Sequence, residues 1–330
     1  MHHDHRNSRR GVLGALLGAT LAGSLTLPGP VLAQDYPSRP IRVLVGYSAG
    51  GGVDALARTL AARLSEQLGQ NMVVDNRPGA TSTIAANVLL SAAPDGYTLL
   101  LADSALLIAA RAMQNVSFDP VKNFAPVAGV AIAPLAIAVA AESPLRSLED
   151  MAKAAGTGSQ LNYATSGIGT VHHLAMEYLQ ARANIKMTHV PYRGASALLP
   201  DLISGQVSSG VLSAAAAMGQ VKAGKIRVLG LTSAEKLEGA ADWRAISDWL
   251  PGFDASPRLF VLAPSGTPEP VVRRLESEIR KALSDPAMVQ DLSKQGFVTN
   301  FQAAKALKVG MEEELERWTD LIKKSGITLN

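Results

Sequence analysis

Gly46-Tyr47-Ser48-Ala49-Gly50-Gly51-Gly52-Val53-Asp54 is the stretch that decides how this chain folds. Before it, Ile41-Arg42-Val43-Leu44-Val45 is an apolar run of the length of a buried strand. After it, Leu56, Leu60, Leu64 and Leu68 recur every four residues, which predicts a helix over 55–68 with one buried face. Strand, glycine loop and helix together leave several backbone N–H groups unpaired at a helix start, where the positive end of the peptide dipoles also lies. Such a site attracts an oxyanion, and three consecutive glycines let it approach the backbone unobstructed. A phosphate and a carboxylate both fit that description. The phosphate reading is the weaker, because the loop lacks the Gly-Lys-Ser/Thr ending of a P-loop. Nor does the spacing of Gly46 to Gly50-Gly51-Gly52 match a dinucleotide fingerprint, although Asp75 lies about twenty residues on.

The start of the chain reads as a cleavable export signal. Arg6, Arg9 and Arg10 make a basic beginning, residues 11–27 an apolar core, and Val31-Leu32-Ala33 a small-residue exit, with cleavage expected after Ala33. Ser8-Arg9-Arg10-Gly11-Val12-Leu13 also resembles a twin-arginine signal, with Val12 where Phe is usual, so general and twin-arginine export both stay open. The apolar run falls short of the roughly 20 residues that a spanning helix needs. The longest later tract, residues 125–141, is interrupted by Pro126, Gly129 and Pro134. The expected location is the periplasm, as a soluble protein. Cysteine is absent throughout, which excludes disulfides and thiol chemistry. Without residues 1–33 the chain loses three arginines and Asp4, and its net charge falls from +3 to about +1. With few aromatic residues besides, nucleic acid is not an expected partner.

The remaining residues alternate strand and helix in a parallel α/β rhythm. Strands are expected over 72–74 and 98–102, with a helix over 83–93 between them. A second set begins after Ser143-Pro144, where Ser147 and Asp150 have capping-box spacing. There the expected strands are 161–165, 187–190, 207–212 and 226–232, with helices over 171–183 and 195–204. A strand over 258–263, a helix from Pro268 to about 284 and a terminal helix over 303–324 complete the chain. Each half offers a strand, a glycine-containing loop and a helix, the second loop being Ser166-Gly167-Ile168-Gly169-Thr170. Ligands of open α/β sheets sit beyond the carboxyl ends of the strands. Two lobes meeting there would hold one small molecule with two anionic groups between two positive helix ends.

Other chemistry is poorly supported. His172 and His173 are adjacent in a helix and point apart, with no partner four residues away to complete a metal pair. His173 is placed equally well beside the second loop or in packing, and His189 reads as structural. Ser48 lacks the elbow context of a hydrolase nucleophile. Asp54 is read first as the cap of a helix starting at Ala55. Arg193, in Pro191-Tyr192-Arg193-Gly194, is the best placed charged ligand contact. No catalytic residue, metal or cofactor is expected, an exported hydrolase being the main enzymatic alternative.

Six motifs in order carry a resemblance. They are Gly50-Gly51-Gly52-Val53-Asp54, Asp75-Asn76-Arg77-Pro78-Gly79-Ala80, Pro94-Asp95-Gly96-Tyr97-Thr98-Leu99, Asp119-Pro120-Val121-Lys122-Asn123-Phe124, Val190-Pro191-Tyr192-Arg193-Gly194 and Ala263-Pro264-Ser265-Gly266-Thr267-Pro268. Through them the chain resembles the tripartite tricarboxylate transporter receptors, the periplasmic solute-binding proteins of the Bug family. The resemblance implies a two-lobed periplasmic-binding-protein fold, type II-like, each lobe a mainly parallel α/β sheet flanked by helices. Residues 34–138 with 259–330 would form lobe 1, and 139–258 lobe 2. It implies a non-enzymatic, monomeric receptor for a small organic acid, a di- or tricarboxylate, serving membrane transporter subunits or, alternatively, a signalling partner. By motif match, Tyr47, Ser48, Ala49, Gly50, Gly51 and Asp54 would meet one carboxylate. Ser166, Gly167, Gly169, Thr170 and His173 would meet the other, with Asp103, Ser104 and Arg193 on the remaining wall. The chain departs from the family at Thr81-Ser82, where a glycine pair is usual, and there Thr81 joins the expected ligand contacts. Ser208 and Ser247 also replace common acidic residues.

Overall fold

The structure, a computed structural model, describes residues 36–113, 116–157 and 160–325; the export signal read over 1–33 lies outside them. The chain opens with β1 (Ile41–Val45) and α1 (Gly52–Leu68). The helix starts three residues earlier than expected, because Gly51 takes the extended capping conformation. Asp54 therefore sits in the first turn instead of capping it. Leu56, Leu60, Leu64 and Leu68 are all buried, as their spacing requires. Next come β2 (Met72–Asn76), α2 (Thr83–Leu90) and β3 (Thr98–Asp103). β3 runs directly into α3 (Ser104–Ala112), whose first six residues are all buried. The interrupted apolar tract resolves into β4 (Phe124–Ile132) and β5 (Leu135–Ala140), with Ala133-Pro134 between them.

α4 (Leu148–Gly156) starts where the capping pattern places it, the Ser147 hydroxyl accepting from the Asp150 N–H at 3.0 Å. Then follow β6 (Asn162–Thr165), α5 (Val171–Ala183), β7 (Thr188–Pro191), α6 (Ala195–Ile203), β8 (Ser209–Ser213), α7 (Ala214–Lys222) and β9 (Ile226–Leu231). The chain ends with β10 (Arg258–Pro264), α8 (Glu269–Leu283), α9 (Pro286–Lys294), β11 (Val298–Ala303) and α10 (Ala304–Ser325).

Two sheets result, of strand order β11-β4-β10-β3-β1-β2 and β7-β6-β8-β5-β9. Both are mixed, which corrects the mainly parallel expectation. β1 pairs in parallel with β2 and β3, while β10 runs antiparallel to β3 and β4 and β11 antiparallel to β4. In the second sheet β6 pairs in parallel with β7 and β8, while β5 runs antiparallel to β8 and β9. β5 and β10 are the strands that arrive by crossing from the other sheet, and each runs antiparallel to both its neighbours. β5 already belongs to the second sheet, so the chain changes sheet at 133–134 and not at 138–139.

The crossing points are tied together. Ala133 N–H donates to the Pro257 carbonyl at 2.8 Å, and Thr232 N–H to the Leu135 carbonyl at 2.9 Å. Thr232 Oγ1 accepts from Leu135 N–H at 3.0 Å and lies 2.7 Å from Ser256 Oγ, both hydroxyls being buried. α10 also spans both halves. Leu307, Met311 and Leu315 join a core under the first sheet, whereas Trp318, Leu321 and Ile322 join the core of the second with Tyr163, Leu174 and Phe253. Trp318 meets the Tyr178 ring edge-on, and its Nε1–H donates to Glu314 at 2.9 Å. Trp318→Ala removes a large side chain that is 1% exposed. It should lower stability by about 3–5 kcal/mol, read as an earlier urea midpoint; a midpoint within error of wild type would refute this bracing role.

Candidate functional site

The carboxyl ends of β1, β3 and β6 deliver residues into one cavity of about 420 Å3. Tyr47, Thr81, Ala105 and Met113 line it from the first sheet. Ser166, Ile168, Gly169, Thr170, Val171 and His172 line it from the second. Thr170 caps α5 by accepting from His173 N–H at 3.3 Å, so Val171 and His172 form the first turn of a helix that starts at the cavity. Ala105 places the start of α3 there from the opposite side. None of these ten residues is a lysine, arginine, aspartate or glutamate. An anion in the cavity would be met by helix starts and hydroxyls, not by a formal counter-charge. A larger groove of about 1110 Å3 runs beside α10, but it shares no lining residue with this cavity and carries charges of both signs. The strand ends and helix starts single out the smaller one.

The cavity brings together five of the expected site residues: Tyr47, Thr81, Ser166, Gly169 and Thr170. Ser48, Ala49, Gly50 and Gly51 are exposed and absent from its wall, so the triple-glycine loop contributes Tyr47 alone. Gly46-Tyr47-Ser48-Ala49-Gly50 does have the letters of a nucleophile elbow, contrary to the sequence reading. Among the described residues, however, no hydrogen bond links the Ser48 side chain to a histidine or carboxylate. Asp54 is almost inaccessible. Its carboxylate accepts from Gly50 N–H at 2.8 Å, Arg58 Nε at 3.0 Å and Asn76 Nδ2 at 2.9 Å. The Arg58 bond leads in lowering its pKa to about 2, the Gly50 and Asn76 donors adding to it against the opposing effect of burial. Asp54 thus folds the loop, and it consumes the Gly50 donor expected to serve a ligand.

Asp103 and Ser104 also lie behind the wall. Asp103 accepts from Tyr47 OH at 2.6 Å and from Ala105 N–H at 3.1 Å. Burial raises its pKa to about 6, and the Tyr47 and Ala105 hydrogen bonds resist that rise. Ser104 Oγ accepts from Arg258 N–H at 2.9 Å, which makes it a joint to β10. Gly167, at φ 141°, shapes the second loop, its carbonyl accepting from Thr165 and Thr170 hydroxyls. Arg193 is exposed and outside the cavity wall.

His173 lies behind the cavity wall. It is buried, its Nδ1 accepts from Gly169 N–H at 3.0 Å, and its ring stacks 3.9 Å from that of His189, which in turn stacks on Tyr163. Burial lowers its pKa to about 4, so at neutral pH it is an acceptor with its proton on Nε2. His172 is the histidine in the wall, its Nδ1 3.0 Å from Ser166 Oγ and its pKa also lowered to about 4 by burial. The signal was present: His173, Met176 and Gln180 recur at helical spacing on the buried face. Ala105, Met113, Ile168 and Val171 carry no chemical signature and were missed. Among the described residues no three His, Asp or Glu side chains gather to hold a metal.

Two helix-flanked sheets, linked by a double crossing and sharing a cavity at their strand ends, define a two-lobed periplasmic-binding-protein fold. The family model described as the tripartite tricarboxylate transporter family receptor matches residues 56–327. A protein of the tcbD-tcbE intergenic region of Pseudomonas sp. strain P51 is 35% identical over 96% of this chain and 95% of its own length. Among solved structures, Rpa4515 of R. palustris with adipate is 30% identical, with a TM-score of 0.76 over 89% of this chain and 99% of that one. MatC of Rhodopseudomonas palustris with bound malate is 28% identical, with a TM-score of 0.71 over 87% and 100%. The chain belongs to the tripartite tricarboxylate transporter receptor family, whose members are periplasmic solute-binding proteins. No helix among the described residues is long and apolar enough to cross a membrane.

Asp54→Asn should cost about 1–3 kcal/mol at pH 7 by loosening the loop. Because the folded pKa lies below the ordinary 3.8, that difference should persist above pH 4 and shrink as pH falls towards 2. Denaturation curves of both proteins across that range check it, and a gap as wide at pH 2 as at pH 7 would show that the carboxylate charge is not responsible.

Proposed function

We propose that this protein captures a small organic carboxylate, a di- or tricarboxylate, by closing its two lobes on it. The observation that carries this reading is the cavity itself. It has a helix start on each side and an uncharged wall, so the ligand's negative charges are met by backbone dipoles and hydroxyls. The adipate-bound and malate-bound relatives support the same class of ligand. Tyr47 and Thr81 on one lobe, with Ser166, Gly169, Thr170 and His172 on the other, are the contacts assigned to it. A ligand that reaches both lobes only when they close stabilises the closed state by the contacts it gains there. The closed form then presents the acid to the membrane subunits of a tripartite tricarboxylate transporter, after export to the periplasm and removal of residues 1–33.

Thermal unfolding with a series of mono-, di- and tricarboxylates tests this. An acid at a hundred times its Kd should stabilise the protein by about 2.7 kcal/mol, and calorimetry should give one site per chain. Failure of every acid in the series to raise Tm would overturn the ligand class.

A further inference from the structure

Asp103 is a buried acid one layer behind the cavity, and among the described residues it makes no ion pair. Its two oxygens accept from two residues of the wall, Oδ2 from Tyr47 O–H at 2.6 Å and Oδ1 from Ala105 N–H at 3.1 Å. The charged groups packed around it do not compensate it. Glu314 of α10, also buried, raises its pKa further. On β10, which pairs with β3 beside Asp103, the Arg258 guanidinium is engaged by Asp254 at 2.5 Å. α2 carries no ionisable residue. Towards the second sheet lie His172, His173 and His189, each held by burial at a pKa of about 4 and so neutral at pH 7.

The Tyr47 hydroxyl lies between this carboxylate and Ser82. Ser82 is fully buried, and its Oγ has no hydrogen-bond partner of good geometry. While Asp103 is ionised it can only accept, so Tyr47 commits its single proton there and none reaches Ser82. Once protonated, Asp103 donates through Oδ2 to the Tyr47 oxygen, which turns the tyrosine proton towards Ser82 Oγ. Oδ1 goes on accepting from Ala105 N–H, and no backbone group moves. One proton from solvent thus removes a buried charge and satisfies a buried hydroxyl. An anion against Tyr47 and Ala105 adds a like charge across one layer of residues, which favours the same change. We infer that Asp103 takes up a proton as an acid anion enters the cavity, so that binding tightens as pH falls from 8 to 6. The inference rests on the carboxylate reading above and adds a proton to the bound state. Because binding and protonation are reciprocal, affinity climbs below the pKa that Asp103 has in the complex. It levels off below the free protein's value of about 6.

Titration calorimetry with adipate and malate at pH 8, 7 and 6 tests it on the wild type, Asp103→Asn and Ser82→Ala. An acid of the wider series that binds where these two do not takes their place. The tighter-binding acid should bind the wild type about tenfold more strongly at pH 6 than at pH 8. Titrations at pH 7 in two buffers of different ionisation enthalpy should show about half a proton or more taken up per ligand bound. Asp103→Asn puts an amide where the protonated acid stands, its N–H donating to Tyr47 and its oxygen accepting from Ala105. It should bind about tenfold more tightly than wild type at pH 8, come within about threefold of it at pH 6, and lose the proton uptake. A residue that merely held Tyr47 in place would lose affinity on this substitution, not gain it. Ser82→Ala removes the acceptor of the turned proton and should move the pH profile to lower pH, which decides the matter if Asp103→Asn does not fold. A wild-type affinity level from pH 8 to 6, a wild-type slope persisting in Asp103→Asn, or an unmoved profile in Ser82→Ala overturns the inference and leaves the carboxylate reading standing. If no carboxylate binds at any pH, the broader reading falls and this one with it.

Discussion

The fold depends on the chain passing between its two sheets twice at one place. The crossing at 133–134 and the return at 256–258 are fastened by Ala133 to Pro257, Leu135 to Thr232, and the buried hydroxyl pair of Thr232 and Ser256. Buried hydroxyls left without partners would be costly, so this arrangement admits little variation in how the two strands emerge. Ser104, at the start of α3, is held from the same region through Arg258. The joint therefore sets both the facing of the two sheets and the position of one of the two helix starts that reach the cavity. Hinge movements of such folds are absorbed by a few residues where chain segments cross, and here those residues are few and identifiable.

The electrostatics of the cleft follow from what is kept out of its wall. Asp54, Asp103 and Arg193 are all charged residues of the expected site, and none lines the cavity. Each aspartate instead ties backbone or side-chain donors together behind it, Asp54 under the glycine loop and Asp103 between Tyr47 and α3. Dipoles held by such bonds need no reorientation when an anion arrives. The cost of ordering them was met when the chain folded. Both aspartates fix neighbouring groups from behind the cavity wall.

Where the sequence carried a period, it was readable. The helix over 171–183 matches α5, and the apolar runs at 41–45 and 258–263, of the length of buried strands, become β1 and β10. The helix α3 was hidden because Ser104 to Ala109 are buried on every side, which erases the amphipathic signal. β4 and β5 were hidden for a related reason, as a continuous apolar tract can be strand or helix. β11, intermediate in exposure along its whole length, has no contrast to read. In the site, loops were legible and facing was not. The glycine run attracted attention, yet the wall is made mainly by the residue before it, by Thr81 and by the first turn of α5. Which of two adjacent histidines faces the cavity depends on one helical step, and only the spacing of His173 with Met176 and Gln180 could have settled it.

α10 gives half its length to each core, Leu307 to Leu315 beneath the first sheet and Trp318 to Ile322 beneath the second. The second sheet's strands are contiguous in sequence, yet a fragment cut out between the crossings would lack the indole that fills its floor. The two cores therefore share one helix, and the Trp318 end of α10 couples packing beneath the second sheet to packing beneath the first.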